Sequence, residues 1–111
     1  MRLSAETEEL LQVVTVLDDR IDAAVALEFK ENGRQITETA PATVILDLSA
    51  VVFIDSSGLG AIVATMKHLA PQRTLVLAGL TAPVDRVFRL TRMDSVFSLY
   101  PTLSHALEDL S

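Results

Sequence analysis

Apolar and β-branched residues fill positions 10–17, Leu-Leu-Gln-Val-Val-Thr-Val-Leu, and this run predicts a buried strand preceded by an extended edge segment. Asp22 then stands where it could cap a helix over about 23–38, with Val25, Phe29 and Ile36 on one face. Asn32-Gly33 falls inside that pattern and is expected to end or weaken the helix. A second strand is predicted at 43–48, Thr-Val-Ile-Leu-Asp-Leu, followed by the apolar approach Val51-Val52-Phe53-Ile54. The strongest helical period runs from Ser57 to about Ala70. Leu59, Ile62, Val63, Met66, Leu69 and Ala70 recur there at the spacing of one buried face, and Pro71 stops it. A third strand follows at 74–79. Pro83 opens another helix, with Val84, Val87, Phe88 and Thr91 on one side. The last helix follows Pro101, with Thr102 as its N-cap and Leu103, Ala106, Leu107 and Leu110 at helical spacing. Strands alternating with helices from residue 43 onward predict an α/β sandwich around a mainly parallel central sheet.

Composition narrows the picture. With 111 residues, half of them apolar, the chain is expected to form one domain over 1–111. Folding should bury roughly 65% of the unfolded surface, enough for a core without staples. No cysteine is present, which excludes disulfides, thiolate catalysis and Cys-ligated zinc. The longest uncharged stretch is the 13 residues from Ser95 to Leu107, short of the roughly 18 that a membrane span needs. Met1-Arg2-Leu3-Ser4-Ala5-Glu6 has no apolar signal region, so the cytoplasm is the expected compartment. Nine basic against fifteen acidic residues give a net charge of −6, and residues 1–31 alone hold eight acids and three bases. Such a balance opposes binding to a phosphate backbone, so nucleic acid is not an expected partner.

One constellation stands out, Phe53-Ile54-Asp55-Ser56-Ser57-Gly58-Leu59-Gly60, where a buried strand turns into a helix. Ser56 is expected at or beside the N-cap, near the orphan N–H groups of the first turn. Gly58 and Gly60 remove side chains there, leaving the backbone open to a bulky group. A dianion at such a place is favoured by the N–H donors and the helix dipole, so a phosphate on Ser56 is compatible with an intact helix. The plainer account of these residues is a helix cap and nothing more.

The run Val44-Ile45-Leu46-Asp47-Leu48-Ser49, followed by Val52-Phe53-Ile54-Asp55-Ser56-Ser57-Gly58-Leu59-Gly60, resembles the STAS domain family, and within it the bacterial anti-sigma factor antagonists. The likeness extends over almost the whole chain. It takes in Asp22, the Ala78-Gly79-Leu80-Thr81-Ala82-Pro83-Val84 stretch and Leu99-Tyr100-Pro101-Thr102-Leu103. The resemblance implies a single STAS-like α/β domain with a mixed, mainly parallel sheet of four or five strands and about four helices. It implies a partner switch without catalysis or cofactor of its own. The unmodified domain would bind an anti-sigma factor that is also a serine kinase, of the histidine-kinase-like ATPase fold, and so free a sigma factor. The kinase would phosphorylate Ser56 and let go, and a serine phosphatase would reset the switch. Asp22 and Asp55 would shape and charge the phosphosite, Ser57 and Gly58 would form the turn, and Leu59 would lend apolar contact. The domain would be a monomer or weak dimer. The same fold also implies an alternative, a scaffold or transporter-associated domain in which Ser56 is only a cap. Asp19-Arg20-Ile21-Asp22 departs from the family's usual Gly-Glu-Leu-Asp or Gly-Arg-Ile-Asp and adds acid beside the predicted phosphosite.

Other chemistries fit less well. Ser56 or Ser57, Asp85 or Asp94, and His105 stand in the chain order of a hydrolase triad. Ile54 and Asp55 occupy the positions where a nucleophile elbow needs glycine, however. Asp18-Asp19 and Asp55 are similar to the acidic triad of a receiver domain, but Lys30 and Lys67 both fall on predicted helices and not at a strand end. His68 and His105 are isolated, with no ligand at metal spacing. Arg86, Arg89 and Arg92 form a basic stripe that reads as a solvated face or as a contact for an acidic partner.

Overall fold

The structure, a computed structural model, describes residues 1–110. Strands β1 (Leu3–Thr7), β2 (Leu11–Val16), β4 (Thr43–Asp47), β6 (Thr74–Ala78) and β7 (Leu99–Tyr100) form one sheet in the order β1-β2-β4-β6-β7. Only β1 runs antiparallel to its neighbour, joined to β2 by the short turn at 8–10; the other pairings are parallel. Four helices complete the fold: α1 (Ala26–Ile36), α2 (Ser56–Leu69), α3 (Ala82–Leu90) and α4 (Leu103–Leu110). Strands β3 (Arg20–Ile21) and β5 (Phe53–Ile54) make a separate two-residue parallel pair. The expected mixed, mainly parallel sheet of four or five strands with about four helices is thus observed, with five strands and four α-helices among the described residues.

Alternation along the strands divides the core in two. Val14, Val16, Val44, Leu46, Leu75 and Leu77 point to one face, where they join Phe29 of α1, Ile62 and Leu69 of α2, and Phe88 of α3. Phe88 meets Phe97 edge to face, with ring centroids 5.9 Å apart. On the opposite face Leu11, Ile45 and Ala78 meet the buried Ala106 of α4, with Val13, Tyr100, Leu103, Leu107 and Leu110 half-buried around them. Thr102 caps α4 as expected, accepting the His105 N–H at 3.1 Å.

Several sequence expectations are corrected. Asp22 does not cap α1. The cap position belongs to Val25, without a side-chain bond, while Asp22 Oδ1 accepts the Ala24 N–H at 3.1 Å and shapes the preceding turn. Gly33 does not break α1, because it lies buried against Thr65 of α2, and tertiary contact overrides its weak helical propensity. Strand β6 stops at Ala78, one residue early, because Gly79 takes up φ +71°. Helix α2 starts at Ser56, and its inward face is Gly58, Ala61, Ile62, Thr65 and Leu69. Leu59, Val63 and Met66 are only half-buried at the edge of the core, and Ala70 is exposed. Small residues face inward because α2 lies close to α1 and β3, which the apolar period alone does not reveal.

Candidate functional site

Strands β3 and β5 are what build the site. Arg20 pairs with Phe53 and Ile21 with Ile54, and the Val52 N–H donates to the Asp19 carbonyl at 2.8 Å. This pairing lays the Asp19–Ala24 loop beside the first turn of α2. Asp55 is the N-cap of that helix, in extended conformation at φ −108°. Its two carboxylate oxygens are both engaged. Oδ1 accepts the Gly58 N–H at 2.9 Å and Oδ2 accepts the Ala23 N–H at 3.0 Å. One side chain therefore caps α2 and ties the Asp22 loop to it. The Gly58 N–H above all, and then that of Ala23, hold the Asp55 carboxyl below its ordinary value, because both bonds favour the charged form.

This double attachment makes Asp55→Asn a revealing substitution. An amide keeps one acceptor for Gly58 but turns a donor toward the Ala23 N–H, so the normally neutral exchange at an N-cap should destabilise this protein. The folded pKa is lowered, so the stabilisation is present above the ordinary carboxyl pKa and is lost as pH falls through the folded value. Urea titrations should therefore find wild type above the variant at neutral pH, with the gap closing under strongly acidic conditions.

Ser56 is the first residue of α2 and is exposed, as is Ser57. The backbone there is helical, with the Leu59 N–H donating to the Asp55 carbonyl at 2.9 Å. Gly58 has a different role from the expected one. A Cβ at that position would stand 1.9 Å from the Ile21 carbonyl oxygen, so the missing side chain admits β3 and not a ligand. Gly60 faces open space, with nothing within 4 Å of where its Cβ would be. Leu59 packs half-buried on the main core.

Two further residues belong to this surface and were missed by sequence reasoning. The Phe53 ring is 47% exposed and Val52 is 53% exposed, although both fall in a run that reads as core. The Arg20 guanidinium stands over the Phe53 ring, 5.7 Å from its centroid, and reaches Asp22 Oδ2 at 3.4 Å and Asp19 Oδ1 at 3.9 Å. The acid at position 19 is therefore balanced locally by Arg20. Buried Val51 and Ile54 flank exposed Val52 and Phe53, a difference that four consecutive apolar residues do not signal. On α3 the basic stripe is interrupted, since Arg89 pairs with Asp85 at 2.9 Å and Asp94 at 3.8 Å.

Comparisons with known proteins agree with this geometry. A family model described as STAS domain matches residues 3–106. The anti-sigma-F factor antagonist RsfB of Mycobacterium tuberculosis is 28% identical over 94 residues, which are 85% of this chain and 77% of that protein. The crystal structure of an anti-sigma factor antagonist from Mycobacterium paratuberculosis is similar at a TM-score of 0.86 and 29% identity, covering 98% of this chain and 92% of that one. The Bacillus cell fate determinant SpoIIAA, solved in its phosphorylated form, shares the fold at a TM-score of 0.70 and 18% identity, covering 99% of this chain and 100% of that one.

Proposed function

The chain belongs to the STAS domain family, and from that premise we propose that it is an anti-sigma factor antagonist switched by phosphorylation of Ser56. In its unmodified state it binds an anti-sigma factor that is also a serine kinase and so frees a sigma factor. The similarity to two mycobacterial antagonists supports the first half of this reading. The observation that carries the second half is the exposed Ser56 at the first position of α2.

A visiting kinase has direct access to that oxygen. Transfer forms a bond from Ser56 Oγ to the γ-phosphorus of ATP and breaks the phosphorus–oxygen bond to ADP, while the hydroxyl proton passes to a base of the kinase. The product carries about −1.5 to −2 charges at neutral pH. The positive end of the helix dipole tolerates that charge, so α2 survives the modification. Asp55 fixes the turn through the Gly58 and Ala23 N–H groups, and Asp22 shapes the neighbouring loop. Phe53, Val52 and Arg20 supply the apolar and cationic contact beside the switch. Release follows from placing a dianion in that contact, and a serine phosphatase restores binding.

Phosphorylation is tested directly. The full chain is incubated with ATP and the anti-sigma factor kinases of its own source organism, and the modified peptide is located by mass spectrometry. A single phosphoryl group on Ser56 is expected, retained in Ser57→Ala and absent in Ser56→Ala. Modification confined to Ser57, or no modification by any of those kinases, would overturn the switch and leave a constitutive scaffold of the same fold.

A further inference from the structure

We infer that the outer edge of β1 is a self-pairing surface, which joins a second copy of this chain by antiparallel strand addition with Ala5 on the two-fold axis. Strand β1 closes one side of the five-stranded sheet, and Ser4, Ala5, Glu6 and Thr7 are all exposed. The pleat fixes which of its backbone groups face outward. The Leu17 N–H donates to the Arg2 carbonyl at 2.9 Å and the Glu8 N–H donates to the Leu11 carbonyl at 2.8 Å, so positions 2 and 8 bond toward β2. Bonded and non-bonded positions alternate along an antiparallel pair. Ser4 and Glu6 therefore bond toward β2 as well, and the N–H and C=O groups of Leu3, Ala5 and Thr7 point away from the sheet.

Native sheets blunt their edges with proline, lysine, bulges or very short strands. The opposite edge of this sheet is of that kind, since β7 has two residues and runs into Pro101. Strand β1 has none of these devices. Its five residues include no proline or lysine, and its register against β2 is unbroken from Leu3 to Thr7. The one charge within it is Glu6.

The match of this edge to itself is what identifies the partner. Two copies related by a two-fold axis pair antiparallel, and only a register that opposes outward-facing residues forms bonds. With Ala5 on the axis, Leu3 meets Thr7 of the second copy, Ala5 meets Ala5, and Thr7 meets Leu3. Every outward residue of both copies is then used, with two hydrogen bonds in each pair. The positions between them set Glu6 against Ser4 and Arg2 against Glu8, so no like charges stand directly opposite. The Arg2 guanidinium approaches Asp18 through Nε, at 3.8 Å, which leaves its terminal nitrogens to Glu8 of the second copy. The neighbouring registers are worse. A shift in one direction opposes Leu3 to Ala5 and drops a bonded pair. A shift in the other drops a pair and sets Glu6 against Glu6, an unfavourable contact in a chain of net charge −6.

A contact made by one strand from each copy falls below about 1,200 Å², the range of weak complexes, so a Kd of about 100 µM is expected. Ser56, Asp55, Phe53 and Arg20 lie outside β1 and β2. Ser56→Asp should therefore dimerise as the wild type does, and the failure of either reading leaves the other standing.

Sedimentation equilibrium of the full chain from about 10 µM to about 1 mM measures the association. Ala5→Pro removes the central outward N–H at a position where the monomer makes no use of it, so circular dichroism should be unchanged while dimerisation is lost. Arg2→Glu and Glu8→Arg, each alone, put like charges across the axis and should each weaken association about tenfold. An equimolar mixture of the two restores opposite charges at both places and should recover the wild-type affinity. In a half-labelled sample, isotope-filtered NOEs should connect the Ser4 and Glu6 α-protons of different copies. A chain that stays monomeric at about 1 mM would overturn the inference and leave the edge to a strand of another protein. A dimer that survives Ala5→Pro, or a mixture that associates no better than its components, would overturn it as well.

Discussion

Gly58→Ala is expected to cost this protein about 3 kcal/mol or more, a large share of the roughly 5–15 kcal/mol that holds a domain of this kind together. The obstacle is backbone. The new methyl would stand 1.9 Å from the Ile21 carbonyl oxygen and 2.8 Å from its carbon, and a strand held by pairing on its other side cannot swing away as a side chain would. Relief requires β3 and the start of α2 to separate, which also breaks the Asp55 bond to Ala23. Gly60→Ala, two positions along the same helix, is the matched comparison. It meets nothing within 4 Å, and removing a helix-interior glycine should stabilise by about 0.5–1 kcal/mol. Urea denaturation of both variants should therefore move the midpoint in opposite directions. Equal midpoints would mean that β3 does not lie against α2 as described.

Ser56→Asp is expected to weaken binding to the anti-sigma factor about thirtyfold, close to 2 kcal/mol, with Ser56→Ala within a few-fold of wild type. One extra negative charge joins a surface where Asp55 is held ionised by two N–H donors and where Arg20 is already shared between Asp19 and Asp22. No free cation of this loop is left to absorb it. Phosphorylation, with nearly twice the charge, should act more strongly than the substitution. The penalty should shrink as salt is raised, since the residues involved are exposed. Isothermal titration against the purified anti-sigma factor at two salt concentrations measures both effects. Equal affinity of the two variants would count for a scaffold indifferent to this residue.

The long elements were legible because their apolar periods are long. Strands β2, β4 and β6 each have most of their residues buried, and α2 carries a long apolar period and a stopping proline, although its cap is Asp55 and Ser56 is its first residue. What stayed hidden was made of short pieces. Strands β3, β5 and β7 have two residues each, too few to display alternation, yet β3 and β5 are the elements that assemble the site. Asp22 read as a cap because acids before apolar periods usually are caps; only the loop geometry reveals that it shapes a turn three residues before the cap position at Val25. Gly58 read as an opening for a ligand, since a glycine in a turn gives no sign of which neighbour fills the vacated space. The exposure of Phe53 was invisible for a related reason. An aromatic in an apolar run is assigned to the core unless something, here Arg20, is known to sit over its outer face.

The unequal covering of the two sheet faces decides where the molecule tolerates change. Helix α4 rests on its face through a single fully buried residue, Ala106, whereas α1, α2 and α3 share a continuous core. Such an appendage can detach and re-dock as its own cooperative unit, at a free energy below that of global unfolding. Because Ser56, Arg20 and Phe53 belong to elements joined to the other core, substitutions under α4 can be tolerated without disturbing the surface around Ser56. The thinly covered face can thereby accept new attachments while the surface around Ser56 keeps its geometry.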